Sequence, residues 1–433
     1  MARRELHAHI GGNGTVSAAT VHHEIHRRGA NAPTASLFVA GIVLAIVGLG
    51  TFVALAMGDD PGRAWRLFLI NFLFFTGVAQ GAIVFAATQK ITKGVWAGPI
   101  IRFAEAAALF LPVSVVCFLV LFLGKHHLFP WIEHPTPLRG NWLTVSWVFW
   151  RDLAALLALM VTSVVFVYHD LKPDVAELRD HVTGWKRTLY ERIAGDYVGT
   201  PEQAEAVERR LNWLAPVLCL LYAYLFSLLG FDLIMSLAPY WMSNLFGAFF
   251  FIGAFLTGLT MLGLMSVFWR WKLDMGAVIG REQLHDLGKL VFAFSVFWAY
   301  LMYSQLLVIW YGNLREETSF VFLRLWGDWR PIAILVGLMI FLIPFWGLIW
   351  VKAKINRVTF TLFLAISFAG VWLERYLLVQ PSLTETGPMF GTPEIAISLG
   401  FLGLFLLAYG LFARTFPMVS PRLLAKAEMT GHH

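Results

Sequence analysis

Ten long apolar segments run through this chain of 433 residues, and they decide what it can fold into. A helix needs about 20 apolar residues to cross a membrane. Hydrophobic residues make up 58% of the chain and charged residues only 14%, against about 25% charged in a soluble domain. The sequence therefore predicts an all-α integral membrane protein with about ten transmembrane helices. We place them near residues 35–57, 64–88, 101–123, 143–168, 214–237, 241–269, 285–311, 331–351, 358–380 and 394–414.

The polar stretch 169–213 divides the apolar segments into groups. We predict two four-helix bundles, made of the second to fifth and the sixth to ninth segments, with the first and last segments flanking them. Within the polar stretch, Thr200 and Pro201 are residue types that begin a helix, and we expect that helix to continue into the fifth segment. The predicted parts are a polar cytoplasmic tail (1–34), a first helix and loop (35–63), a first bundle with the cytoplasmic loop 169–213 (64–237), a second bundle (238–380) and a last helix with a cytoplasmic tail (381–433).

Lysine and arginine residues predict the orientation of the chain. Of the 33 basic residues, 24 fall in the termini and in the loops on their side, seven fall in loops on the opposite side, and two lie inside apolar segments. Cytoplasmic loops are enriched in lysine and arginine, so we expect both termini in the cytoplasm, most naturally at a bacterial inner membrane. The net charge of +6 reflects this topology and indicates no nucleic-acid partner.

Ionisable residues inside the apolar segments are the strongest functional signal, because a charge at membrane depth costs about 3 kcal/mol or more. Arg151 and Asp152 lie in the fourth segment, Asp232 in the fifth, and Glu374 and Arg375 in the ninth, all toward the predicted outer side. Adjacent residues point in different directions on a helix, so neither neighbouring pair is expected to pair internally. Pairing of Arg151 with Glu374 would instead neutralise charge between the two bundles.

A second set of charges lies toward the predicted inner side, with Glu105 in the third segment and Asp286 and Lys289 opening the seventh. Carboxylates at both ends of a bundle, with hydroxyl groups between them, are what a transmembrane proton path requires. The structural alternative is that Arg102 with Glu105 and Asp286 with Lys289 form ordinary ion pairs three residues apart near helix ends, and that the tyrosines form hydrogen bonds between helices. The candidate path comprises Glu105, Asp152, Asp232, Asp286, Glu374, Tyr300 and Tyr303, with Arg151, Lys289 and Arg375 as charge partners.

The sequence indicates no catalytic, cofactor-binding or metal site. Two cysteines, Cys117 and Cys219, cannot supply the four or so thiolates of an iron–sulfur cluster. Haem ligation needs histidines deep in facing helices, and the histidines near the segments lie at segment ends or in loops. We therefore expect no cofactor on this chain. A polar tail with five histidines is a weak metal candidate: His7, His9, His22, His23 and His26.

The most distinctive stretch is residues 292–305 with its continuation 309–318, which holds the run Trp-Tyr-Gly-Asn-Leu-Arg-Glu-Glu. It resembles the quinol-oxidoreductase membrane subunits of the NrfD (polysulfide reductase membrane subunit) family, and within that family most closely the F subunits of alternative complex III. Residues 71–87 and the Trp-Arg-Asp sequence at 150–152 add to the similarity, which extends over nearly the whole chain.

The resemblance implies two four-helix bundles with flanking helices and no redox cofactor in this chain. It implies a complex that oxidises quinol and passes electrons to a c-type cytochrome or directly to a terminal oxidase. Iron–sulfur clusters and haem c would belong to partner subunits, and a sister subunit of the same family would hold the better-supported quinol site. Binding of quinone or quinol by this chain itself stays open. Inner and outer proton half-channels are also implied, to which Glu105, Asp152, Asp232, Asp286 and Glu374 would correspond.

Two other functions stay open at this point. In a secondary transporter, Arg151 and Arg375 would bind an anionic substrate, and Pro112 and Pro344 would interrupt helices near the membrane midplane, as in some transporters. In a passive scaffold of a respiratory complex, the buried charges would only hold helices together. Copurification with haem c and iron–sulfur subunits would distinguish a quinol-oxidoreductase subunit from a transporter. Replacement of the carboxylates would distinguish a proton-conducting subunit from a scaffold.

Overall fold

The computed structural model describes residues 32–135, 139–276, 278–384 and 386–424, so the histidine-rich tail lies outside the described residues. Within the described residues, ten helices are long and apolar enough to cross a membrane, which confirms the predicted number. They are α1 (Ala35–Ala56), α2 (Pro61–Thr92), α3 (Gly98–Leu128), α4 (Val145–His181), α5 (Pro201–Leu237), α6 (Phe246–Lys272), α7 (Arg281–Gly312), α8 (Gly327–Leu348), α9 (Arg357–Ser382) and α10 (Thr392–Thr415).

Several helices continue past the apolar part that the sequence marked. The helix that becomes α5 begins at Pro201 and is capped by Thr200, whose hydroxyl accepts a hydrogen bond from the Gln203 amide at 3.4 Å, as predicted. At its carboxyl end α4 extends to His181, well beyond the predicted end near residue 168. A short amphipathic helix, Trp185–Ala194, lies between α4 and α5.

Successive helices alternate in direction, so the helix ends form two sides. One side holds the ends of α2 and α4 and carries most lysines and arginines; we call it the basic side and the other the opposite side. We expect the basic side to face the cytoplasm.

The most enclosed helix is α2, which contacts α1, α3, α5, α6, α9 and α10. Its closest neighbour is α6, because small residues allow the two backbones to approach. A Cβ atom on Gly81 would lie 2.4 Å from the carbonyl oxygen of Ala254, and one on Gly258 would lie 2.4 Å from the backbone nitrogen of Ala82. Small residues at such crossings are the usual means of close packing between membrane helices.

The first and last helices, α1 and α10, pack along each other against α2 and α3. Glycines meet at their crossing, where a Cβ atom on Gly48 would lie 2.2 Å from the Cα atom of Gly400. The remaining helices contact one another within α2–α5 and within α6–α9, but α2 also packs along α6 and α9, and α5 packs along α6. The division into two separate bundles therefore remains a prediction.

Two helices contain irregular turns beside prolines. In α3 the 3₁₀ turn Ala106–Phe110 precedes Pro112, and in α8 the π-turn Leu338–Leu342 precedes Pro344. A proline has no amide hydrogen and its ring crowds the carbonyl four residues earlier, so the regular hydrogen-bond ladder cannot continue through it. Both helices stay wound through these turns.

Candidate functional site

Arg151 joins α4 to α5 on the opposite side of the protein. Its Nε and Nη2 atoms lie 2.8 and 2.7 Å from Oδ2 of Asp232, and its guanidinium lies 3.9 Å from the centre of the Trp142 ring. The indole of Trp142 donates to Oδ1 of Asp232 at 2.9 Å. The carboxylate of Asp232 is therefore fully buried and bound by both the Arg151 guanidinium and the Trp142 indole. These contacts hold Asp232 in an ion pair with Arg151.

Asp152 lies beside Asp232 but outside that ion pair. It is fully buried, and among the described residues neither of its carboxyl oxygens has a hydrogen-bond donor. With one guanidinium next to two carboxyl groups, the arrangement balances when Asp152 is neutral. We call Asp152 and Asp232 the opposite-side pair.

Arg151 does not reach Glu374, so the predicted pairing between bundles is wrong. Arg375 instead pairs with its own neighbour, Nη1 lying 2.9 Å from Oε2 of Glu374, which corrects the expectation that adjacent residues stay apart. The rule concerns Cβ directions, and a long arginine side chain bends enough to bring its head group back. Two further contacts hold that bend: Nη2 donates to the Phe250 carbonyl at 3.1 Å, and the guanidinium lies 4.2 Å from the Phe250 ring centre.

Arg102 is the centre of a buried network on the basic side. Its guanidinium pairs with Glu105 in α3 and with Asp174 in α4, and Nη1 lies 2.9 Å from Oδ2 of Asp170. Arg102, Glu105 and Asp174 are almost completely buried. One guanidinium among three carboxylates leaves an excess of negative charge, so this network requires a second cation.

Arg422, which follows α10, supplies that cation. Its Nη2 atom lies 2.6 Å from Oδ1 of Asp170, and its Nη1 atom lies 3.2 Å from Oε1 of Glu208. Burial lowers the pKa of Arg422, but Asp170 and Asp174 outweigh burial and raise the pKa above its ordinary value, so the guanidinium is charged. Lys90 pairs with Glu208 and extends the network to α2. We call Arg102, Glu105, Asp170, Asp174 and Arg422 the basic-side network.

A cavity of 150 Å³ reaches this network from the basic side. Glu105 and Asp170 border its inner part, and Lys93, which is exposed, stands at its rim. Water on that side can therefore approach two carboxylates of the network. On the other side, an open depression of 450 Å³ is bordered by Trp142, the residue that donates to Asp232.

A hydrogen bond between α2 and α4 lies between the two carboxylate groups. The side-chain amide of Gln80 donates to the hydroxyl of Ser163 at 2.9 Å, and both side chains are buried. On α4, Ser163 lies between Asp152 and Asp170, about 16 Å from the first and about 10 Å from the second at 1.5 Å per residue. The sequence analysis did not select Gln80 or Ser163, because single neutral polar residues are common in membrane helices.

The remaining predicted site residues lie elsewhere. Asp286 pairs with Lys289 at 2.5 Å at the basic end of α7, where both side chains are partly exposed. Tyr300 and Tyr303 lie on α7 and are each 61% exposed, so they do not connect the two groups of carboxylates. Of the predicted carboxylates, Glu105 therefore belongs to the basic-side network, and Asp152 and Asp232 form the opposite-side pair at the other end of α4 and α5.

Two carboxylates of the basic-side network were missed. Asp170 and Asp174 fall in the stretch 169–213 that the sequence predicts as a loop, whereas in the structure α4 extends through both of them. Their spacing of four residues, which places both on one face of a helix, was the available signal. In the part of the chain that the structure describes, no group of three or more His, Cys, Asp or Glu side chains is arranged to hold a metal ion.

The family model for polysulphide reductase, NrfD, matches residues 56–386. The chain belongs to the NrfD family. The matched residues run from the end of α1 to just before α10, so the NrfD core comprises α2–α9. It includes the opposite-side pair and every member of the basic-side network except Arg422. Members of the NrfD family are membrane subunits that work with other respiratory subunits, and this chain is such a multi-pass membrane subunit. No curated protein matches the chain.

Proposed function

We propose that this NrfD-family chain is the cofactor-free membrane subunit of a quinol:electron acceptor oxidoreductase of the alternative complex III type. Iron–sulfur and haem c subunits and a sister NrfD-type subunit would oxidise quinol and carry the electrons to a c-type cytochrome or a terminal oxidase. The complex would lie in a bacterial inner membrane, with both termini of this chain in the cytoplasm, as the distribution of basic residues favours.

The task we propose for this chain is to move protons through α2–α5. The observation that supports it is the position of buried carboxylates at both ends of these helices, with the Gln80–Ser163 hydrogen bond between them. Burying ionisable groups in a membrane protein is costly, and such groups commonly mark ion and proton pathways. The cavity at Glu105 and Asp170 provides entry for water from the basic side.

In this proposal, a proton enters at Glu105 or Asp170, passes the Gln80–Ser163 hydrogen bond, and reaches Asp152. Along α4, the distances from Asp170 to Ser163 and from Ser163 to Asp152 exceed the roughly 3 Å of one hydrogen bond. Chains of water molecules would therefore carry the proton between these residues. Arg151 fixes the negative charge on Asp232, which leaves Asp152 as the group that gains and loses the proton. The depression at Trp142 would receive it on the opposite side.

The transporter alternative is less well supported. Arg151 is bound to Asp232 and stacked on Trp142, and Arg375 is bound to Glu374 and to the Phe250 carbonyl. Both guanidinium groups have their counter-ions within the chain. An anionic substrate would have to displace a buried carboxylate to bind either arginine, at a high cost in free energy.

The test is Asp152→Asn in the purified complex, since an amide has nearly the same shape and cannot release a proton. We expect quinol-driven proton translocation in sealed vesicles to fall at least about tenfold, with the complex still assembled. Asp59→Asn, at an exposed carboxylate on the same side, is the matched control and should leave translocation unchanged. Normal translocation in Asp152→Asn would favour the scaffold function.

A further inference from the structure

An open groove of 540 Å³ lies between α4 and α5 toward the basic side of the protein. It shares no lining residue with the cavity that reaches the basic-side network. One part of its wall is polar and the other apolar, with His169, Arg209, Arg210 and Trp213 in the first part and Val165 and Leu214 in the second. We call it the α4–α5 groove. The proposed proton path uses none of these residues.

The α4–α5 groove lies at the level where the apolar parts of both helices end. The apolar part of α4 ends near residue 168 and that of α5 begins near residue 214, and both helices continue as polar helices on the basic side. Trp213 is exposed at this boundary, and tryptophan is enriched where a membrane meets water. Toward the membrane the exposed apolar surface continues with Val161 and Val165 on α4 and Leu220 on α5. The groove therefore suits a molecule with a polar head and an apolar tail.

Positive charge around the groove is incompletely balanced. Arg210, which is exposed, and Lys172, one turn beyond His169 on α4, form no ion pair with a carboxylate in the described part of the chain. Arg209 lies 3.6 Å from Glu205, but both of these side chains are more than 70% exposed, so water weakens their attraction. Nδ1 of His169 is buried without a hydrogen-bond partner among the described residues. The groove therefore offers cations and a ring nitrogen to an anion.

We propose that the α4–α5 groove binds the head group of an anionic phospholipid from the leaflet on the basic side. The phosphodiester oxygens would accept hydrogen bonds from Arg209 and Arg210, and the acyl chains would lie along Val161 and Val165. Basic pockets between membrane helices on the cytoplasmic side bind such head groups in other proteins. A free phosphate ion would satisfy the same cations, but the apolar part of the wall and its position at the membrane boundary favour a lipid.

The test is photo-crosslinking of the purified full-length chain, with the subunits that copurify, in phosphatidylcholine vesicles that contain a small fraction of a photoactivatable lipid. Two probes carry the same diazirine-bearing acyl chain. One is phosphatidylglycerol, which is anionic, and the other is phosphatidylcholine, which has a phosphate but no net charge. Peptide mapping after irradiation locates the labelled helices.

Two variants alter the groove, and one serves as the control. Arg210→Gln removes the unpaired cation from the wall and keeps most of the side-chain length. Ala206→Trp places a large ring at another residue of the wall without changing the charge. Arg357→Gln is the matched control, because Arg357 is an exposed arginine at the basic-side start of α9, has no carboxylate partner in the described part of the chain, and does not line the groove.

We expect phosphatidylglycerol to label peptides from α4 and α5 more strongly than phosphatidylcholine does. Labelling by phosphatidylglycerol should fall about fivefold in Arg210→Gln, the usual contribution of one basic residue near a membrane surface. It should fall severalfold in Ala206→Trp and stay unchanged in Arg357→Gln. Equal labelling by the two lipids, or an equal loss in Arg357→Gln, overturns the proposal. If Arg210→Gln does not assemble, Ala206→Trp decides by the same criterion.

Unlabelled competitors distinguish a lipid from a free anion. An excess of unlabelled phosphatidylglycerol should suppress the labelling of α4 and α5, and inorganic phosphate at the same concentration should not. Suppression by inorganic phosphate would assign the groove to a soluble anion and overturn the proposal of a lipid site.

Discussion

Arg151 and Asp232 form an ion pair between α4 and α5, and Asp152, the neighbour of Arg151 in sequence, stays outside it. The two aspartates therefore differ in what holds them. Removing the carboxylate of Asp232 leaves a guanidinium without its counter-ion, whereas replacing the carboxyl group of Asp152 breaks no hydrogen bond among the described residues. We expect Asp232→Asn to lower the free energy of unfolding by about 3–5 kcal/mol.

For Asp152→Asn we expect a loss of about 1 kcal/mol or less, since the amide replaces a carboxyl group without an ionic partner. Denaturant unfolding of both variants in the same detergent measures the difference. Equal losses for the two substitutions would show that Asp152 takes part in the Arg151 ion pair, and would contradict its assignment as the neutral member of the opposite-side pair.

Arg102 and Arg422 share the carboxylates of the basic-side network unequally, which allows a second prediction. Arg102 is almost fully buried and is bonded to three carboxylates, while Arg422 is one quarter exposed at its side chain. Water can solvate the carboxylates partly when Arg422 is lost but not when Arg102 is lost. We expect Arg102→Met to cost about 3–5 kcal/mol and Arg422→Met about 1–2 kcal/mol.

Thermal unfolding of the two methionine variants tests this order, because methionine keeps the apolar stem of each side chain. A larger loss for Arg422→Met would mean that the carboxylates depend mainly on the cation after α10. The arrangement around Arg102 would then be the less important half of the network.

The ten helices could be predicted because spanning length and hydropathy are local properties of the chain. Partners of buried charges are not local. Arg151 and Glu374 are a plausible pair by composition, but the contact between α4 and α5 brings Asp232 to Arg151 instead. The pair Glu374–Arg375 was excluded by Cβ directions, although arginine is long enough to bend back to its neighbour.

The basic-side network was only half predictable for the same reason. Arg102 and Glu105 are three residues apart on one helix, and the sequence indicated an ion pair there. Arg422 lies more than 250 residues from Asp170, and only the packing of α10 against α3 brings it near. A chain read segment by segment contains no signal for that contact.

The crossing of α1 and α10 provides a prediction about packing. A Cβ atom on Gly48 would lie 2.2 Å from the Cα atom of Gly400, so no larger residue fits without separating the helices. We expect Gly48→Leu to lower the free energy of unfolding by about 1–3 kcal/mol, the usual cost of overpacking. Gly50→Leu, two residues away with open space around its Cβ, is the control and should cost little. Similar losses for both would show that the cost lies in replacing a helical glycine, not in the crossing.

The Gln80–Ser163 hydrogen bond is the polar contact that lies between the carboxylates of α4, and its role can be separated from a purely structural one. Gln80→Met keeps the length of the side chain and removes its hydrogen-bonding groups. We expect quinol-driven proton translocation in vesicles to fall about tenfold, because the proton would have to cross an apolar gap between Asp170 and Asp152. Ser266→Ala is the control, since it removes a buried hydroxyl whose hydrogen-bond partner among the described residues is the Leu262 carbonyl in its own helix. If the two variants translocate protons equally well, the Gln80–Ser163 contact only joins α2 to α4, and the proton path must run through other residues.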